Sequence, residues 1–154
     1  MPTGRVLGID FGERRIGLAL SDPTATLATP LDTLVRRPGK RVPLKALEEL
    51  ARSHGVERLV VGLPIDLRGH EDEWCRAVRQ SGDELGRRLG VPVDYADERF
   101  TSVTAIRAVR ASGLNRTERG RKERIDQAAA AIILQRWLDA QKRSAAPEPQ
   151  DLLP

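Results

Sequence analysis

The chain of 154 residues has one cysteine, Cys75, and two histidines, His54 and His70. One thiol cannot close an internal disulfide, and this Cys and His count is too small for a zinc cluster. Any metal held here must therefore be held by oxygen. Aromatic residues are equally scarce, with only Phe11, Trp74, Tyr95, Phe100 and Trp137. The core must be assembled from Val, Leu, Ile and Ala, which suits helices packed on a sheet. Apolar runs reach about seven residues, as from Ala128 to Leu134, far short of the roughly 20 needed to span a membrane. The Met-Pro-Thr-Gly-Arg start does not read as a signal peptide. These features predict a soluble, cytoplasmic protein with no membrane contact, and the length suits a single domain.

Charge is plentiful but unevenly placed. The net charge is +4, yet the segment from Arg99 to Arg124 carries eight basic residues against two acidic ones, leaving the rest slightly acidic. Such a segment reads as a phosphate-facing patch and points to nucleic acid. A second basic run, Arg36, Arg37, Lys40, Arg41 and Lys45, contains no acidic residue. Arginine supplies 22 of the 26 basic side chains, and its planar fork suits bidentate contact with phosphate. A general Arg bias in the source would look the same, but would not explain the clustering.

The apolar pattern predicts three antiparallel strands first. RVLGID (Arg5 to Asp10) and IGLALS (Ile16 to Ser21) form a hairpin, and PLDTLV (Pro30 to Val35) adds a third strand at its edge. Leu44, Leu47, Leu50 and Ala51 recur at helical spacing up to His54-Gly55, where glycine ends the helix. RLVVGL (Arg58 to Leu63) is an interior strand, parallel by virtue of its crossover. A helix over Glu71 to Leu89 and a strand over Val91 to Ala96 follow. Thr101 or Ser102 caps a helix reaching Ala111, a mobile loop covers Ser112 to Arg121, and a last helix runs from about Glu123 to Gln141. The expected fold is α/β, a mixed five-stranded sheet with helices on both faces. Residues 1–142 form the domain, and residues 143–154 form a disordered tail. Trp74 and Cys75 are assigned to core packing, with a subunit interface as the alternative.

Three acids stand at telling places. Asp10 closes the first strand, where it serves either a ligand or the hairpin turn. Glu98 follows the fifth strand, either in a site or in a surface ion pair with Arg99. Asp126 shares a helical stripe with Ala130, Ile133 and Trp137, the side expected to pack on the sheet, where an unpaired carboxylate is costly. If the helix starts near Glu123, Asp126 also lies close to a favourable helix N-terminus. Three converging carboxylates beside a basic patch suit a divalent-metal phosphodiesterase, since Mg²⁺ or Mn²⁺ prefers hard oxygen ligands and bridges to phosphate. Arg15, Arg99, Lys122 and Arg124 are the candidate substrate contacts. Thr101 either hydrogen-bonds a phosphate or caps its helix.

Gly8-Ile9-Asp10-Phe11-Gly12, continuing through Arg15-Ile16-Gly17-Leu18-Ala19 to Ser21-Asp22, resembles the opening motif of the YqgF/RuvX family. Val61-Gly62-Leu63-Pro64 with Gly69, Asp97-Glu98-Arg99-Phe100-Thr101-Ser102, and Asp126-Gln127-Ala128-Ala129-Ala130 running into Ile133-Leu134-Gln135 resemble its other three motifs in order. The resemblance spans roughly residues 4 to 140. It implies an RNase H-like fold related to the resolvase RuvC. It also implies a nuclease acting on Holliday junctions or maturing the 5′ end of pre-16S ribosomal RNA, with Asp10, Glu98 and Asp126 as catalytic, metal-binding acids. Many RNase H-like sites have a fourth acid. Here Ala129 stands three residues beyond Asp126, leaving Asp97 or Asp22 as candidates.

Phosphate contacts carry little sequence identity, so pre-rRNA and branched DNA both fit. Symmetric junction cleavage would call for a homodimer. Two other functions compete. Gly8 to Gly12 also resembles the phosphate loop of the actin and sugar-kinase superfamily, whose members use two such domains in a longer chain. A non-catalytic nucleic-acid-binding or transcription-associated factor would keep the basic patch and use its carboxylates structurally.

Overall fold

The structure is a computed structural model that describes residues 4–37, 41–99, 103, 106 and 119–145. Five strands, β1 (Arg5–Phe11), β2 (Arg15–Ser21), β3 (Ala28–Val35), β4 (Val56–Leu63) and β5 (Val93–Asp97), form one sheet in the order β3-β2-β1-β4-β5. β2 pairs antiparallel with β1 and β3, whereas β1–β4 and β4–β5 are parallel. This is the expected mixed sheet, with β4 interior and β1 in the middle.

Alternation along the strands sends two apolar sets to opposite faces. Leu7, Ile9, Ile16, Leu18, Leu59 and Val61 pack on one face with Leu47 and Ala51 of α1 (Leu44–Ser53) and Val78 and Leu85 of α2 (Glu73–Leu89). Val6, Ala19 and Val60 pack on the other with Ala129, Ala130, Ile133, Leu134 and Leu138 of α3 (Arg119–Ala145). The central strands are covered on both sides, so β1 is buried beyond Arg5.

α2 starts at Glu73 rather than Glu71 because the Asp72 carboxylate accepts the Cys75 N–H at 2.9 Å and caps it. Gly90, at φ +68°, ends it in the left-handed region. Gly82 and Gly86 weaken α2 as a helix, but they let it approach β5. A Cβ at Gly82 would stand 2.6 Å from the Tyr95 hydroxyl oxygen, and one at Gly86 would stand 2.3 Å from a Val93 methyl. Trp74 packs against this layer and Cys75 is fully buried, in keeping with their assignment to the core.

The last helix departs most from expectation. α3 begins at Arg119, inside the segment read as a loop, and continues to Ala145, into the segment read as tail. Val103 and Ile106 are helical, and Val103 is buried against the α3 layer. The rest of the expected 101–111 helix, loop residues 112–118 and tail residues 146–154 lie outside the described residues. No helix among the described residues is long and apolar enough to cross a membrane.

Candidate active site

Three glycines on one face of the sheet determine how α3 sits. A Cβ on Gly8 of β1 would lie 2.8 Å from Leu134 Cβ and 3.2 Å from the Ala130 carbonyl oxygen. One on Gly17 of β2 would lie 2.1 Å from the Asp126 carbonyl oxygen. One on Gly62 of β4 would lie 2.1 Å from Glu98 Oε1 and 2.7 Å from Ile133 Cδ1. The helix backbone therefore rests directly on the sheet, as strand glycines permit. The run of alanines in α3 contributes from the helix side, but the sheet glycines are what sequence reasoning missed. Their signal was the spacing Gly8-x-Asp10, which puts a bare position and an acid on the same face.

The ladder then places the acids. Asp10 pairs directly with Gly17 across β1–β2, so its side chain shares the face on which Asp126 is seated. Gly62 follows Val61, the partner of Ile9, which sets Asp10 and Gly62 on adjacent strands and on the α3 face. Gly62 pairs with Ala96 of β5, and Glu98 lies two residues further on, its carboxylate over Gly62. Asp10, Glu98 and Asp126 are buried to 2%, 3% and 0% exposure. All three occupy one face of the sheet at the C-terminal ends of β1, β4 and β5.

The backbone geometry bears on the alternative roles of the acids. Asp10 sits within the strand ladder and not in the turn. Asp126 is the eighth residue of α3, two turns beyond its start, where the helix N-terminal field has largely decayed. Arg99 pairs with Asp97, at 2.6 Å, and holds that carboxyl below the usual carboxylate range. Its guanidinium also lies over the loop after β4, where a Cβ on Gly69 would stand 2.9 Å from Nη1.

Arg15 Nε donates to Asp126 Oδ2 at 2.6 Å. The guanidinium expected to face substrate is thus turned inward onto a buried acid. Among the described residues, no group of three or more His, Cys, Asp or Glu side chains is arranged to hold a metal ion. Asp10, Glu98 and Asp126 share one face of the sheet, and Arg15 supplies a positive partner to Asp126 there.

The candidates for a fourth acid are committed elsewhere. Asp97 is bound by Arg99. Asp22 organises the β2–β3 turn by accepting the Thr26 and Leu27 N–H groups, each at 2.8 Å, which lowers its pKa. It also lies beyond Ser21, at the opposite end of the sheet from Asp10. Lys122 is half-buried and Arg124 exposed on the first turns of α3. Thr101 lies outside the described residues.

Two further contacts fix the position of α3. Thr33 Oγ1 donates to the Glu123 carbonyl at 2.8 Å. Gln135 accepts the Ala28 N–H at 2.8 Å and donates to the Thr26 carbonyl at 3.0 Å. Clamped at both points, the helix cannot slide along the sheet, and Asp126 stays in register with Gly17.

This sheet order, with α3 over an acidic strand end, defines an RNase H-like α/β fold. The RuvC of T. thermophilus, solved in complex with a Holliday junction substrate, matches it with a TM-score of 0.55 over 94% of this chain and 99% of that one, at 19% identity. The chain belongs to the RuvX (YqgF) family, whose model, described as Holliday junction resolvase, matches residues 4–140. Among curated relatives, a protein of Chloroflexus aggregans named "Putative pre-16S rRNA nuclease" is 43% identical over 89% of this chain and 94% of its own length. One with the same name from Mycolicibacterium paratuberculosis is 46% identical over 96% of this chain and 87% of its own.

Proposed function

We propose that the protein is a divalent-metal-dependent nuclease that hydrolyses phosphodiester bonds in structured nucleic acid, either a pre-16S rRNA 5′ leader or a branched DNA junction. The observation that carries this reading is the burial of Asp10, Glu98 and Asp126 on one face, with Gly17 and Gly62 bare beside them. The family and the names of its relatives agree with it.

The donor set fits a hard cation. It is all carboxylate oxygen, and a side chain at Gly62 would displace the Glu98 carboxylate. Asp10, Glu98 and Asp126 would hold Mg²⁺ or Mn²⁺, which when bound supplies water activation and charge stabilisation at phosphate. The chain's own cations do the rest. Lys122 and Arg124 bind the substrate backbone. Arg15 moves between Asp126 and a substrate phosphate, and Arg99, held by Asp97, orients the strand near Glu98. Burial on the α3 face keeps bulk water from the acids and preserves the strength of each charge contact.

The Arg15–Asp126 pair also fits a second reading, a nucleic-acid-binding protein whose Asp126 is structural. Matched assays of a pre-16S leader RNA and a four-way DNA junction, with and without Mg²⁺ or Mn²⁺, separate the two. The nuclease cleaves at least one of them in a metal-dependent way, and Asp10→Asn abolishes cleavage. Binding of both without cleavage under any metal condition overturns the nuclease reading.

A further inference from the structure

The second basic run does not lie at the carboxylates. The chain after β3 folds over the α1/α2 face, where Arg36, Arg41 and Lys45 join Arg88 in lining an open groove of about 610 Å³. Four cationic side chains there face a single carboxylate, Glu84. Ser81 and Gln80 add neutral hydrogen-bonding groups to its wall.

The arrangement differs from the rest of the helical surface. Arg52, Arg79 and Arg87 each hold a neighbouring glutamate. In the groove, Arg88 holds Glu84 at 3.2 Å, but none of the ion pairs among the described residues includes Arg36, Arg41 or Lys45. Unpaired cations in a concave wall concentrate positive potential instead of cancelling it. The first turn of α1 carries no acid, and its Pro43 cap offers no side-chain acceptor, so nothing there opposes an anion.

Arg36 links this groove to the acidic end of the sheet. Its Nη1 donates to the Gly12 carbonyl at 3.0 Å, and its guanidinium lies 5.7 Å from the centre of the Trp74 ring. Its Nε is buried with no acceptor among the described residues, beside a cavity of about 30 Å³, room for about one water. Gly12 is two residues beyond Asp10, about 7 Å along a strand. A backbone presented to the acids could therefore round the end of the sheet past Arg36 and reach the groove.

We infer that this groove is a second nucleic-acid surface, which binds the sugar–phosphate backbone flanking the segment offered to Asp10, Glu98 and Asp126. The inference rests on the nuclease reading for the identity of the ligand. Its contacts are to phosphate and independent of sequence, because the groove carries cations and no exposed aromatic array.

The test uses the full chain with R41Q, K45Q and R88Q combined. All three side chains are exposed, and thermal melting verifies the fold. Binding of fluorescent single-stranded RNAs of 8 and 30 nucleotides is titrated against salt in EDTA, so that the result does not depend on cleavage. The expected result is weaker binding of the 30-mer, with its slope of log K against log salt reduced by about two units for three lost contacts. The 8-mer should change little, and the charge-conserving R41K, K45R and R88K set should restore 30-mer binding. An unchanged slope, or equal losses on both lengths, overturns the inference. Failure of the nuclease reading would instead appear as absent metal-dependent cleavage by the unmodified protein.

Discussion

The carbonyl oxygen of Asp126 occupies the space that a side chain at Gly17 would need, 2.1 Å from where its Cβ would stand. Gly17 is also the cross-strand partner of Asp10. One bare position thus sets the approach of two acids from different parts of the chain. Gly17→Ala should push α3 away from β2, lowering stability by about 1–3 kcal/mol as overpacking does, and it should remove nuclease activity. Activity is expected to fall by far more than the folded fraction, as urea titration and cleavage assays on the same preparation would show. Retained activity with lowered stability would mean that the position of Asp126 is not critical.

Asp10→Asn, Glu98→Gln and Asp126→Asn should each abolish metal-dependent cleavage while leaving the circular dichroism spectrum native, since each keeps its shape and loses a charged oxygen. Asp126→Asn also leaves the Arg15 guanidinium, 19% exposed, without its ionic partner. That variant should lose about 1–3 kcal/mol of stability as well as activity. Its melting curve beside that of the parent tests this.

With Asp126 as the proposed metal ligand, Arg15 and the metal would compete for it, so Arg15→Gln should lower stability in EDTA and raise the stabilisation gained from Mn²⁺. Because a ligand of the native state stabilises by mass action, the rise in melting temperature over a Mn²⁺ titration should begin at lower concentration in the variant than in the parent. Identical titration curves would show that Arg15 does not control access of the cation to Asp126.

Lys122→Gln and Arg124→Gln should each reduce the salt dependence of nucleic-acid binding by about one unit of slope, across unrelated sequences. Fluorescence anisotropy at several salt concentrations measures this. A loss restricted to one sequence would indicate a base contact instead.

Asp97 titrates below its ordinary value of about 3.9 because Arg99 donates to it. A depressed carboxyl contributes stability that is fully present above the unfolded-state value and is lost as pH falls through the folded-state value. Both groups are partly exposed, so solvent screening keeps the contribution small. Arg99→Gln should therefore lower the urea midpoint slightly at pH 6, with the difference from the parent vanishing towards pH 2. A constant difference across that range would assign the effect of Arg99 to packing over Gly69.

The five strands and both helices of one layer could be read from periodicity, because strand alternation and helical spacing are local patterns set by which residues must be buried. The stripe of Asp126 with Ala130 and Ile133 was legible for the same reason, and four short motifs sufficed to indicate the family. The partners of the charged groups were not legible. Whether Arg99 meets Glu98 or Asp97, and whether Arg15 faces solvent or Asp126, depends on side-chain directions that arise only when β1, β2, β5 and α3 are assembled. The start of α3 at Arg119 was hidden by a Gly-containing, Arg-rich stretch that reads as loop, although the helix is held from outside by the Thr33 hydroxyl and the backbone of Thr26 and Ala28. The basic run from Arg36 to Lys45 could be seen in the sequence as charge alone. Its placement on the face opposite the acids, in a groove closed by Arg88 from a distant helix, was decided by the crossover from β3 to β4, since a linear run of charge carries no information about which side of a sheet it will cover.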